Sequence, residues 1–292
     1  MEFEGAYTAM ITPFDEDGEL NEEGLRENIR FQIENGIDGI VPVGTTGECA
    51  TLSFKEHKKV IEISVNEAEG EVPVIAGSGS NNTVEALELT EYAADIGADA
   101  ALIVSPYYNK PTQRGLYEHY KTLAQEVDIP QIVYNVPSRT GKNIEADTTA
   151  KLSELENVKA VKEASGDVKQ AMDIKKKSAE DFNLMSGADK LTLALLSAGG
   201  VGAISVASNI VPGKISKMIH SYLDGDVKTA QEIHYENLYL FDSLFLETNP
   251  GPVKAAMDIL DRPAGKPRLP LVEASEETKE RLREVLSELG LL

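Results

Sequence analysis

The chain has 292 residues, of which 49 are acidic and 28 basic, giving a formal charge of -21 with 41% hydrophobic content. That is enough apolar material for one large core, and the charge makes nucleic acid and anionic membrane surfaces poor partners. A single cysteine, Cys49, excludes an intrachain disulfide and fits a reducing, cytoplasmic setting; the start Met1-Glu2-Phe3-Glu4 lacks the basic and apolar segments of a secretory leader, and no apolar run reaches membrane-spanning length.

Along the chain, short apolar runs alternate with amphipathic segments of helical length. A strand over 6–12 precedes a helix over 22–34, and the pattern repeats as strand 39–45 with helix 54–69, strand 73–77 with helix 84–96, and strand 100–105 with helix 113–127. It continues as strand 131–136 with helix 146–155, strand 158–164 with helix 168–178, strand 182–186 with helix 191–198, and strand 202–206 with helix 212–223. Strict alternation implies parallel strands, and eight such units close into a (β/α)8 TIM barrel. After Asp224-Gly225-Asp226 the strand signals stop, and helices are expected over 227–246, 252–260 and 276–289. The expected organisation is a catalytic barrel over 1–225 and a C-terminal three-helix extension over 226–292.

Barrels of this kind build their sites at the carboxyl ends of the strands. Strand alternation puts Lys162 on one face with Val158, Ala160 and Ala164, an apolar face where an ammonium must find partners or lose its proton. A neutral, sheltered lysine is the nucleophile that forms Schiff bases with carbonyl compounds. The alternative is an exposed strand edge on which Lys162 pairs with Glu163. Gly44-Thr45-Thr46-Gly47 offers hydroxyls and backbone donors suited to a small carboxylate, or else a tight turn whose threonines cap. Tyr134 shares parity with Ile132 and Val136, so its phenol is either a proton carrier or a core group with a hydrogen-bond partner. Arg139 follows a proline-fixed turn and has the fork that grips carboxylates. Cys49 has His57 nearby in sequence, but a lone cysteine reads as a small buried residue. The glycine-rich stretches at 77–80 and 199–202 lack nucleotide-binding spacing and the four histidines lack metal-ligand spacing, so neither cofactor nor metal is expected.

Gly44-Thr45-Thr46-Gly47-Glu48, Tyr134-Asn135-Val136-Pro137-Ser138-Arg139-Thr140-Gly141 and Val161-Lys162-Glu163-Ala164-Ser165-Gly166 resemble the signature segments of the dihydrodipicolinate synthase family, in the pyruvate-dependent class I aldolase superfamily. Ser105-Pro106-Tyr107-Tyr108-Asn109 and Glu247-Thr248-Asn249-Pro250-Gly251-Pro252-Val253-Lys254 extend the likeness over nearly the whole chain. The resemblance implies that Lys162 forms an imine with pyruvate, whose enamine attacks L-aspartate 4-semialdehyde to give 4-hydroxy-tetrahydrodipicolinate for lysine and diaminopimelate biosynthesis. It implies a proton relay of Tyr134, Thr45 and Tyr108, with Tyr108 serving a neighbouring subunit's site in a homotetramer of tight dimers. It further implies that Thr46, Ile204 and the Gly187 backbone frame pyruvate, while Arg139 holds the semialdehyde carboxylate.

Asn81, Glu85, His57 and Tyr107 match positions that hold inhibitory lysine in sensitive members, or simply pack an interface, and Phe54 stands where sensitive bacterial enzymes often have histidine. The competing activity within the superfamily is that of a 2-keto-3-deoxy sugar-acid aldolase or an N-acetylneuraminate lyase. Such relatives generally lack an arginine in the Tyr-Asn-Val-Pro segment, so Arg139 discriminates. A keto-acid sensor is the competing class of function, which would not need Lys162, Tyr134 and Thr45 together.

Overall fold

In the computed structural model, which describes residues 3–292, β1 (Gly5–Ala9) pairs in parallel with both β2 (Gly39–Val41) and β8 (Gly202–Ser205). The first strand therefore joins the two ends of a ring. Around it run β7 (Asn183–Ser186), β6 (Val158–Glu163), β5 (Gln131–Asn135), β4 (Ala100–Val104) and β3 (Ile75–Gly77), every pair parallel. The ring closes where Ile40 N–H donates to the Pro73 carbonyl and Gly77 N–H to that of Pro42, each at 3.0 Å. The strands are buried on both faces, which explains why they read as near-continuous runs of Ala, Val and Ile.

Helices cover the outside: α1 (Glu22–Glu34), α2 (Phe54–Ala68), α3 (Thr83–Asp95), α4 (Gln113–Glu126), the one-turn α5 (Pro137–Thr140), α6 (Ala146–Leu152), α7 (Val168–Lys177), α8 (Thr192–Ser197) and α9 (Pro212–Leu223). Short polar side chains begin several of them by accepting from free N–H groups, as Asn21, Asn82, Thr112 and Asp167 do. Ser53 and Glu56 form a complete capping box at the start of α2. None of the helices among the described residues is long and apolar enough to cross a membrane.

Three local expectations are corrected. The segment expected as one helix over 227–246 is two, α10 (Val227–Glu236) and α11 (Leu238–Ser243), so the extension with α12 (Gly251–Ile259) and α13 (Glu276–Glu288) has four helices. Asn237 marks the break: its side-chain amide donates to the Ile233 carbonyl at 2.8 Å and competes with the helical backbone. Strand β2 stops at Val41 instead of 45 because Val43 takes a left-handed backbone, φ 49°, and sends residues 44–47 into a turn. The helix α5 was not anticipated; proline at its first position and Gly141 at its left-handed C-cap delimit a single turn that carries Arg139.

Candidate active site

Parity and register place the lysine. Tyr134 on β5 and Met185 on β7 flank Lys162 on β6 in the hydrogen-bonded ladder, so the three share a level of the barrel. Lys162 is 5% exposed, and among the described residues no carboxylate comes within 4.0 Å of its Nζ. The amine instead lies 4.3 Å from the centre of the Tyr134 ring. Burial lowers its pKa to about 7; the Asp189 carboxylate opposes that shift and the Arg139 cation adds to it. Near neutral pH a large fraction of the amine is unprotonated, as attack on a ketone requires.

The neighbouring residue shows why the exposed-edge alternative fails. Glu163 points to the opposite face, is itself buried, and accepts from the Asn135 side chain at 3.0 and 3.3 Å, from Ser165 N–H at 2.6 Å and from Gln170 at 3.1 Å. Gly187 makes room for the lysine: a Cβ there would sit 3.0 Å from Lys162 Cε and 2.8 Å from Ala164 Cβ, so only glycine fits unless something shifts. Its N–H donates to the Glu163 carbonyl at 2.8 Å, which ties β7 to β6 at the level of the site.

A cavity of about 610 Å³ opens above Lys162 at the carboxyl ends of the strands, and Thr45, Thr46, Tyr134, Arg139 and Gly187 line it. The Tyr134 phenol is held above its usual pKa by burial, while hydrogen bonding with Thr45 and the charge of Arg139 act in the opposite direction. It is therefore protonated at neutral pH and able to donate to a developing oxyanion or hydroxyl. Arg139 Nη2 donates to the Asn249 carbonyl at 3.1 Å, and Asn249 Nδ2 donates to Thr46 Oγ1 at 3.0 Å. Asn249 thus ties the arginine loop to the threonine turn.

Two of the expected residues are not in the wall. Ile204 is buried on β8 below the cavity, and Val206, two residues further on, lines it instead. Tyr108 is 88% exposed with φ 71° and is not brought to the cavity of its own chain. Conversely, Asp189, Phe241, Phe245 and Asn249 line the cavity without having been given a role there. Asp189 is buried beside the lysine, and its Oδ2 accepts from Val206 N–H at 3.0 Å and Ala207 N–H at 3.1 Å. The signal for Asn249 was its place in the 247–254 segment; for Asp189 it was its position two residues beyond Gly187.

A second, smaller cavity of about 150 Å³ lies beyond the threonine turn, lined by Cys49, Phe54, His57, Ser80, Glu85 and Tyr107 among others. Asn81 is not in its wall; its carbonyl accepts from Asn109 Nδ2 at 2.8 Å. His57 bonds to the Gly77 carbonyl at 2.7 Å, and burial pulls its pKa down, so the ring is neutral and donates. Glu85 accepts from the Ser80 hydroxyl at 2.7 Å.

A family model described as the dihydrodipicolinate synthetase family matches residues 2–289. The 4-hydroxy-tetrahydrodipicolinate synthase of Methanopyrus kandleri is 53% identical over 100% of this chain and 98% of its own length. The crystal structure of dihydrodipicolinate synthase from Aquifex aeolicus is 51% identical, covers 99% of each chain and superposes with a TM-score of 0.97. The corresponding enzyme of Cyanidioschyzon merolae, solved with lysine bound, is 41% identical over the full length of both chains, again with a TM-score of 0.97. A closed eight-stranded barrel with a sheltered amine, and likeness at this level from end to end, leave one conclusion: the chain belongs to the dihydrodipicolinate synthetase family.

Proposed function

We propose that this lyase condenses pyruvate with L-aspartate 4-semialdehyde to 4-hydroxy-tetrahydrodipicolinate through a Schiff base on Lys162. The observation that carries the assignment of the nucleophile is a buried lysine that faces an open cavity and has no ion-pair partner among the described residues, in keeping with a pKa lowered by burial to about 7. Its neutral amine attacks the keto carbon of pyruvate; loss of water leaves an iminium, and loss of a methyl proton leaves an enamine. That carbon forms the new bond to the aldehyde carbon, whose oxygen takes a proton and becomes the hydroxyl. The substrate's amino group then adds to the iminium carbon, closes the ring and expels Lys162.

Tyr134, with Thr45 behind it, supplies and recovers protons in these steps. Thr46 and the Gly187 backbone frame pyruvate with Ile204 beneath them, and Arg139 holds the semialdehyde carboxylate in a bidentate fork. Both substrates are anions, so Lys162, Arg139 and the turn amides reverse the field of a strongly negative protein locally. Residues 1–225 act as the catalytic barrel, and 226–292 form an extension that completes the cavity wall with Phe241 and Asn249. Tyr108 reaches a neighbour's relay in a homotetramer, an assignment supported by its exposure in the single chain. Lysine binds the smaller cavity with its ammonium toward Glu85.

Borohydride reduction with pyruvate is expected to attach one reduced pyruvate to the peptide containing Lys162; an unmodified peptide overturns the mechanism. Turnover of aspartate 4-semialdehyde against a 2-keto-3-deoxy sugar acid separates the assignment from its sibling lyases. Activity that stays flat as lysine is raised removes the regulatory site.

A further inference from the structure

Glu48 ends the turn that carries Thr45 and Thr46, yet its side chain lies outside the cavity wall. It is fully buried, with Oε1 2.6 Å from Nζ of Lys254, whose side chain is 1% exposed. The other oxygen accepts from Arg268 N–H at 2.9 Å. The ring of Phe14 is flanked by Lys254 Nζ and the Arg268 guanidinium, each 4.2 Å from its centre. A buried ion pair of this kind is a weak source of stability, because stripping water from two charges costs several kcal/mol and apolar replacements of both are often neutral or better. What the pair does supply is a fixed location.

The turn requires one. Val43 and Glu48 have φ 49° and 55°, the left-handed region that strains non-glycine residues and persists only where the surroundings impose it. Gly47 packs so closely that a Cβ would lie 3.0 Å from the Val43 backbone. Two of the contacts that impose it come from one helix end: Lys254 of α12 holds Glu48, and Asn249, just before α12, holds Thr46; Arg268 N–H and the Thr12 hydroxyl, which donates to the Gly47 carbonyl at 2.7 Å, add to them.

We propose that Glu48 and Lys254 are positioning residues for the condensation, a buried pair that holds the Val43–Glu48 turn in the shape that presents Thr45 and Thr46 to the keto-acid carboxylate. Neither touches substrate. The inference rests on the reading of that turn as the pyruvate site, and the test separates the two. The paired variant Glu48→Gln with Lys254→Met removes both charges and strands neither, so the fold is retained, as its melting temperature reads out. Borohydride trapping at Lys162 over a range of pyruvate concentrations is expected to show a half-saturation raised by about tenfold or more, with the trapped fraction at saturation unchanged. In turnover, KM for pyruvate rises more than KM for the semialdehyde. A folded paired variant with the unaltered enzyme's half-saturation overturns the positioning role alone, whereas absence of trapping in the unaltered enzyme overturns the pyruvate site and this inference with it. Should the paired variant fail to fold, Lys254→Arg in the same assay decides, a raised half-saturation supporting the role and an unchanged one overturning it.

Discussion

Two lysines are buried in this chain within one functional neighbourhood, and they have opposite fates. Lys162 stands on β6 beside an aromatic face with no carboxylate in ion-pair reach among the described residues; Lys254 stands on α12 with Glu48 at 2.6 Å. Burial depresses the pKa of both, but only Lys254 has a close carboxylate to oppose it directly. Burial therefore does not by itself make a nucleophile. The partner decides whether an enclosed amine serves as a structural tie or is left free for the chemistry proposed for Lys162.

Substituting methionine at each position tests that contrast most severely. Lys162→Met is expected to reduce turnover by about 10^4-fold or more, since the proposed covalent intermediate cannot form. It is also expected to stabilise the fold. With its folded pKa near 7 against an unfolded value near 10.5, Lys162 binds fewer protons in the native state across that interval, so its burial penalty is full below about pH 7 and fades as the pH rises toward 10.5. The gain at pH 6 is roughly 3–5 kcal/mol, read as a higher melting temperature that converges with the unaltered enzyme in alkali. A lower melting temperature at pH 6 breaks the comparison.

Tyr134→Phe asks what Lys162, in the role proposed for it, has in place of a carboxylate. The ring remains to pack against the amine while the phenolic proton is lost, so kcat is expected to drop by about 10^2 to 10^4 with the fold intact. Imine formation, followed by rapid quench with borohydride, should slow in parallel. Lys254→Met alone, in contrast to Lys162→Met, strands a buried carboxylate and is expected to destabilise by about 3–5 kcal/mol. Denaturant midpoints at constant slope measure that loss, and its opposite sign from Lys162→Met is the sharpest form of the contrast.

How much of this was legible beforehand follows from which distances in sequence each feature spans. The inward face of Lys162 could be read because alternation along a six-residue strand fixes it, and strict strand-helix alternation was sufficient for the barrel. The Lys254–Glu48 tie spans 206 positions, and nothing local to either residue announces it. Asn249 and Phe241 likewise reach the cavity only because the extension folds back over the strand ends. The break at Asn237 was missed because asparagine is only mildly unfavourable in a helix, and the early end of β2 because a left-handed valine has no sequence signature. Tyr108 carried an assignment that depends on a second chain, which no pattern within one chain can place.

The smallest expected effect concerns Asp189, the carboxylate whose field raises the pKa of Lys162. It is buried, its own pKa is pushed up by that burial, and two backbone N–H groups, those of Val206 and Ala207, hold Oδ2 in place. Asp189→Asn keeps the size and can keep both hydrogen bonds while removing the charge. Lys162 then loses an influence that favours its protonated form, so the acid limb of the rate against pH, set by loss of the lysine proton, is expected to move to lower pH. The iminium that follows loses the same counter-charge, so the plateau rate should drop even as the limb shifts. A limb that moves to higher pH would mean that Asp189 acts on the amine through something other than its charge, and the distinction between the paired and the unpaired lysine would then have to be drawn elsewhere.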